Sequence, residues 1–161
     1  MKKLLLILLC MLFITGCAKL PQNDNKDVKK EFEEYKEKVL PVIKECDDAY
    51  EMAVKSHTKD LYQKAEDVCY ASSLNVTEIP FDAEKAQEEK WVKEENQILA
   101  FAPLRYKIFD MLQEKSDAAK IAKNRVEINK KTFDDTENLR LSKYNQLKKS
   151  VEESFEYYQS L

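Results

Sequence analysis

The sequence predicts an all-α protein, an elongated bundle of three to five helices with coiled-coil-like antiparallel packing. Three observations carry this expectation. The single glycine of the 161 residues is Gly16, so residues 17–161 contain none, and tight hairpins, whose turns want positive φ, are hard to build. Charged residues make up 35% of the chain, and Ala, Glu, Lys, Leu and Gln recur throughout, a composition that suits long helices. Between Val28 and Ala53 the apolar positions alternate spacings of four and three without a miss, which marks a helix packed along its length on another.

The chain opens with Lys2 and Lys3, followed by an apolar run from Leu4 to Ile14. A permanent membrane-spanning helix needs about 20 apolar residues. A shorter run behind positive charge reads as the core of a signal peptide and stands apart from the fold. The run closes on Ile14-Thr15-Gly16-Cys17: an aliphatic residue, two small ones, then cysteine. This resembles the lipobox of bacterial lipoproteins, and the resemblance covers residues 1–17 only. It implies that residues 1–16 are a lipoprotein signal peptide and that the Cys17 thiol carries diacylglycerol. The amine exposed by cleavage is often acylated too in that family. Each buried methylene contributes about 0.8 kcal/mol, so one chain holds weakly and two or three hold durably. The implied product is attached to a membrane without spanning it. Ala18 is not aspartate, and in a Gram-negative envelope the family pattern then implies the outer membrane. Residues 17–26 form the lipidated tether. Its polar stretch, residues 18–26, reaches on the order of 30 Å when extended, and the helical domain is expected over 27–161.

The first helix turns Val28, Phe32, Tyr35, Val39, Val42, Cys46, Ala49 and Ala53 inward. Pro41 inside it costs a hydrogen bond and clashes one turn back, about 3 kcal/mol, so a kink or short break is expected near Leu40. Ser56-His57-Thr58-Lys59 reads as the turn, with Thr58 as N-cap. The second helix faces Leu61, Tyr62, Ala65, Val68 and Cys69 inward and is expected to end near Ser72, with Ile79-Pro80 as a firm stop. Asp82 is expected to cap a third helix with Trp91, Ile98, Ala102, Phe109 and Leu112 at helical spacing, bent at Pro103. The pattern blurs after Ser116, where continuation to Lys131 and a break at Ser116-Asp117 both stand open. Asp134 and Glu137 have the capping-box spacing and open a last helix with Tyr144, Leu147, Val151, Phe155 and Tyr158 on one face. No internal repeat is evident.

Cys10 leaves with the leader and Cys17 takes lipid, so Cys46 and Cys69 remain. They lie equidistant from the turn at His57-Thr58, which puts them at one height in an antiparallel hairpin. The same reflection sets Tyr62 by Ala53 and Ala65 by Tyr50, large against small. Disulfides persist outside the cytoplasm, and a Cys46–Cys69 bond is expected. The alternative is two buried thiols packing as small apolar groups.

Removing Lys2 and Lys3 leaves 25 of the 27 basic residues against all 30 acidic ones, a formal charge of −5. No strong basic stripe is present, which argues against nucleic-acid binding, and a glycine-free chain carries no glycine-rich phosphate loop. His57, the only histidine, falls in the turn with no second histidine to share a metal. A nucleophilic serine or cysteine would need it as base, and no neighbour is evident to orient it. No catalytic, cofactor or metal site is therefore assigned. Glu33-Glu34, Asp47-Asp48, Glu88-Glu89 and Glu94-Glu95 are paired carboxylates, a type that does acid–base work on sugars. With Glu34–Lys38, Glu51–Lys55 and Glu89–Lys93 at helical spacing, they read instead as solvated faces. Lys120, Lys123, Arg125, Lys130 and Lys131 form a modest basic cluster, solvated or touching an anionic surface. Tyr157 and Tyr158 read as a binding patch or as the end of the last seam.

These readings point to a membrane-anchored, non-enzymatic lipoprotein of the bacterial cell envelope, held by its N-terminal lipid and meeting an envelope or surface protein partner through helix faces. The alternative is a module that binds a small ligand or cell-wall polymer, favoured by a deep cavity among Trp91, Phe101, Phe109 and Tyr144.

Overall fold

The computed structural model describes residues 25–85, 87–88, 102–128 and 132–161. The leader, Cys17 and the tether up to residue 24 lie outside the described residues, as do Trp91, Ile98, Phe101, Lys130 and Lys131. Among the described residues there is no strand. The described residues include the helices α1 (Asn25–Ser56), α2 (Lys59–Glu78), α3 (Leu104–Ile128) and α4 (Thr132–Ser160), with a 3-10 turn at Asp82–Glu84.

Each helix runs antiparallel to the next, and α4 closes the ring on α1. Cys46 meets Cys69, Ser73 meets Gln113 and Lys107 meets Ser154. Lys29 donates to the Gln159 carbonyl at 2.6 Å. The bundle tapers. At the end where α1 begins and α4 ends, the core is aromatic: Phe32 stacks on Tyr158 at 5.2 Å and Tyr35 on Phe81 at 4.8 Å, over Leu104, Ile108 and Met111. At the opposite end Tyr50 and Tyr62 pack among Ala53, Ala65, Ala118, Ala119 and Ala122. Alanines let α2 and α3 approach closely, while the aromatic end of the α1–α4 seam is bridged by large side chains. The reflection about the turn holds, with Tyr50, Ala53, Tyr62 and Ala65 in one packed cluster.

Several expectations need correction. Of the kink or short break expected near Leu40, the break does not occur: helix α1 runs on through Pro41. Pro41 is exposed, as is Glu37, whose carbonyl loses its partner; water can take that bond on the outer face. Thr58 does occupy the N-cap, extended at φ −112° and ψ 146°, but its side chain makes no capping bond. The turn is made by His57 at φ 50°, a left-handed position usually given to glycine, with its amide bonded to the Ala53 carbonyl at 2.8 Å. Helix α2 continues past Ser72 to Glu78. Its hydroxyls fold back onto the helix, Ser73 to the Tyr70 carbonyl and Thr77 to the Leu74 carbonyl, both at 2.7 Å, so they do not unwind it. Ile79, at ψ 116°, is held out of the helical region by Pro80.

Asp82 lies inside the 3-10 turn, with Phe81 before it. Ala102 and Pro103 are not helical, so Pro103 precedes α3 rather than bending it. Helix α3 then passes Ser116-Asp117 unbroken to Ile128. Its start is capped from a distance, the Leu104 amide donating to Glu84 Oε2 at 2.7 Å. Helix α4 is already under way at Thr132, so Asp134 is inside it and Glu137 works across the bundle. Tyr144, Leu147, Val151 and Tyr158 are buried as expected, with Phe155 packed against them.

Candidate functional site

The cysteine pair is the sequence-derived site that the described residues contain. Cys46 and Cys69 are joined as a disulfide with Cα atoms 4.5 Å apart, both wholly buried. Cys46 and Cys69 are the only cysteines among the described residues, and among those residues no group of three or more His, Cys, Asp or Glu is placed to hold a metal ion. His57 sits exposed in the turn, its Nδ1 3.3 Å from Tyr62 Oη.

The charged side chains group differently from the sequence reading. Asp47 is half-buried and Lys115 is buried, and the two form an ion pair from α1 to α3. Tyr144 on α4 donates to the same carboxylate at 2.8 Å. The Lys115 ammonium lies 4.1 Å from the Tyr144 ring centroid and 5.4 Å from that of Tyr50, so two ring faces shield it. Nearer the turn, Tyr50 donates to Glu137 at 3.0 Å, and Arg125 reaches the same buried carboxylate at 2.7 Å. Burial raises the Tyr50 and Tyr144 hydroxyls far above the ordinary tyrosine range, and their carboxylate acceptors reinforce the shift.

At the other end Glu84 is buried and accepts from Tyr158 Oη and the Leu104 amide. Burial pushes its pKa above the carboxylate range, only partly opposed by these two donors. Buried Glu88 takes both the Nε and an Nη of Arg105. Arg105 also donates to the Thr77 carbonyl at 3.0 Å, closing the end of α2. Asp47 and Glu88 were expected on solvated faces and are not. The signal was present for Asp47: it follows Cys46 and precedes Tyr50 by three, which turns it toward α4. Glu51 does pair with Lys55 at 3.6 Å, whereas Glu34 pairs backward with Lys30 at 3.8 Å.

The basic cluster is partly consumed internally. Lys123 bonds Gln63 and Glu66, and Arg125 bonds Glu137, leaving Lys120 exposed. Of the four residues whose cavity would favour the ligand-binding alternative, Trp91 and Phe101 lie outside the described residues, and Phe109 and Tyr144 do not share a depression. Phe109 lines a shallow depression with Thr77, Arg105 and Tyr106, while Tyr144 packs on Lys115. Tyr158 belongs to the aromatic core and Tyr157 is exposed.

Larger depressions lie elsewhere among the described residues. One of about 320 Å³ lies between α2 and α3, lined by Glu66, Tyr70, Gln113 and Lys120 among others. One of about 290 Å³ lies between α3, α4 and the segment after the 3-10 turn, lined by Glu84, Lys107, Glu153, Ser154 and Tyr157 among others. Another, of about 200 Å³, runs along the outer face of the α1/α2 hairpin. Among the described residues no helix is long and apolar enough to cross a membrane. Comparison with known protein families, curated proteins and solved structures returns no match.

Proposed function

We propose that this chain is a bacterial lipoprotein of the cell envelope, anchored through acylated Cys17, whose work is recognition of another protein through helix faces rather than catalysis. The observation that carries the non-catalytic part is the employment of the buried charges. Asp47, Lys115, Glu84, Glu88, Arg105 and Glu137 are engaged with one another, with tyrosine hydroxyls or with helix ends, where they join helices. The anchoring part rests on Lys2, Lys3, the apolar run and Ile14-Thr15-Gly16-Cys17.

Cys17→Ser tests the anchor. The variant is expected in the soluble fraction of the native host, while the parent chain sediments with membranes and gains mass from acyl groups. A Cys17→Ser chain that stays on washed membranes refutes the assignment. Crosslinking in intact cells is expected to recover a protein partner; recovery of wall polymer without protein would favour the ligand-binding alternative.

A further inference from the structure

The outer face of the α1/α2 hairpin has the form of a receptor groove. On α1, Glu45, Asp48, Ala49 and Met52 fall at i, i+3, i+4 and i+7; on α2, Leu61, Lys64 and Val68 form the facing wall. The floor is apolar, and Met52 is 50% exposed on it. Two antiparallel walls with an apolar floor accept the apolar stripe of a third helix, a recurring mode of peptide recognition. The pliant Met52 thioether suits such a contact.

We propose that this groove docks an amphipathic helix of a partner protein, one whose basic side chains lie along the flank facing α1. The inference deepens the protein-interaction reading above and rests on it. Charge decides the chemistry of the occupant. The α1 lip carries Glu45 and Asp48, and the α2 lip carries Lys64. Asp48 is bonded to Lys44, which does not line the groove. Both members of that pair are well exposed, so it neutralises little of the carboxylate's reach. A bound helix therefore meets negative charge along α1 and a single positive charge opposite.

Charge also argues for a protein rather than a lipid occupant, because Glu45 and Asp48 on the lip repel anionic headgroups. The walls are also preset. Cys46 adjoins Glu45 and Cys69 adjoins Val68, with Cα atoms 4.5 Å apart, so little ordering is left for the binding step.

The test titrates purified full chain with designed amphipathic helices that share one leucine stripe and differ only in lysine, glutamine or glutamate flanks, read by fluorescence anisotropy. The lysine-flanked helix is expected to bind most tightly. Met52→Asp is expected to weaken it about tenfold or more, and Glu45→Lys with Asp48→Lys to reverse the preference toward glutamate. These three side chains are exposed, and unchanged far-UV circular dichroism checks the fold. Absence of saturable binding, or affinities indifferent to both changes, overturns the proposal. So does sedimentation showing that a second copy of the chain fills the groove. The Cys17→Ser chain should give the same titration, so a failed anchor and a failed groove are read separately.

Discussion

Replacing Cys46 and Cys69 together with alanine removes the covalent tie between α1 and α2 while keeping both positions apolar. The cysteines are 23 residues apart, and a loop of that size restricts the unfolded chain by roughly 11 cal/mol/K, about 3.4 kcal/mol at 25 °C. Both side chains are wholly buried, and the missing sulfur atoms add about 1 kcal/mol of lost packing. For a domain of this size 1 kcal/mol moves Tm by roughly 3 °C, so the variant should melt about 12 °C lower. Urea unfolding followed by far-UV circular dichroism measures the difference. The m-value should rise slightly, because the unlinked chain expands further on unfolding. Intact mass with and without reductant supplies the control, the parent chain gaining two hydrogen atoms on reduction. A loss under about 1 kcal/mol would refute the reasoning, as would free thiols at both positions in the parent.

The remaining predictions concern the polar layers and the turn. Asp47→Ala should destabilise by about 3–5 kcal/mol, because Lys115 is left buried without its partner, whereas the double change Asp47→Leu with Lys115→Met should cost much less; equal losses in urea would contradict the assigned pair. Burial holds the Glu84 pKa above the ordinary carboxylate value. Its stabilising contribution is therefore complete below that ordinary value and is lost as pH rises through the raised one. Relative to Glu84→Gln, the parent chain should gain stability as pH falls through this window, and a flat difference in urea titrations would remove the argument. His57→Gly should raise stability by about 1 kcal/mol, since glycine takes the left-handed position without a Cβ clash; a drop in Tm would show that the bond to Tyr62 outweighs the strain.

The seam of α1, the cysteine register and the face of α4 were legible because large apolar residues recur at helical intervals against a charged background. The second half of α3 was not. Its inward positions are Ala118, Ala119 and Ala122, which carry little hydropathy contrast, so the pattern faded where α2 comes closest. The end of α2 was misplaced because Ser72 and Ser73 read as a stop, whereas both are small residues buried in the bundle, and the Ser73 hydroxyl donates to the Tyr70 carbonyl and accepts from Gln113 on α3. Pro103 and Asp82 were assigned to one helix because sequence does not show that Glu84, about twenty residues earlier, supplies the cap for Leu104. The same limit hid the Asp47–Lys115 layer, whose members are 68 residues apart.

Those layers bear on why one arrangement of the helices prevails. An apolar seam with a seven-residue period tolerates sliding by a full repeat, because each large side chain then meets another of its kind. The polar groups do not tolerate it. Tyr50–Glu137–Arg125, Asp47–Lys115–Tyr144 and Glu84–Tyr158 lie at three heights and join α1 to α4, α1 to α3, and the 3-10 turn to α4. A shift of one repeat would strip the buried carboxylates of their donors, at about 3–5 kcal/mol for each broken pair. Since whole domains are stable by only about 5–15 kcal/mol, two such losses suffice to disfavour a slipped bundle. The diagonal Asp47–Lys115 pair adds a further constraint, because exchanging the positions of α2 and α4 around α1 would take Tyr144 away from the Asp47 carboxylate and leave it with one donor fewer.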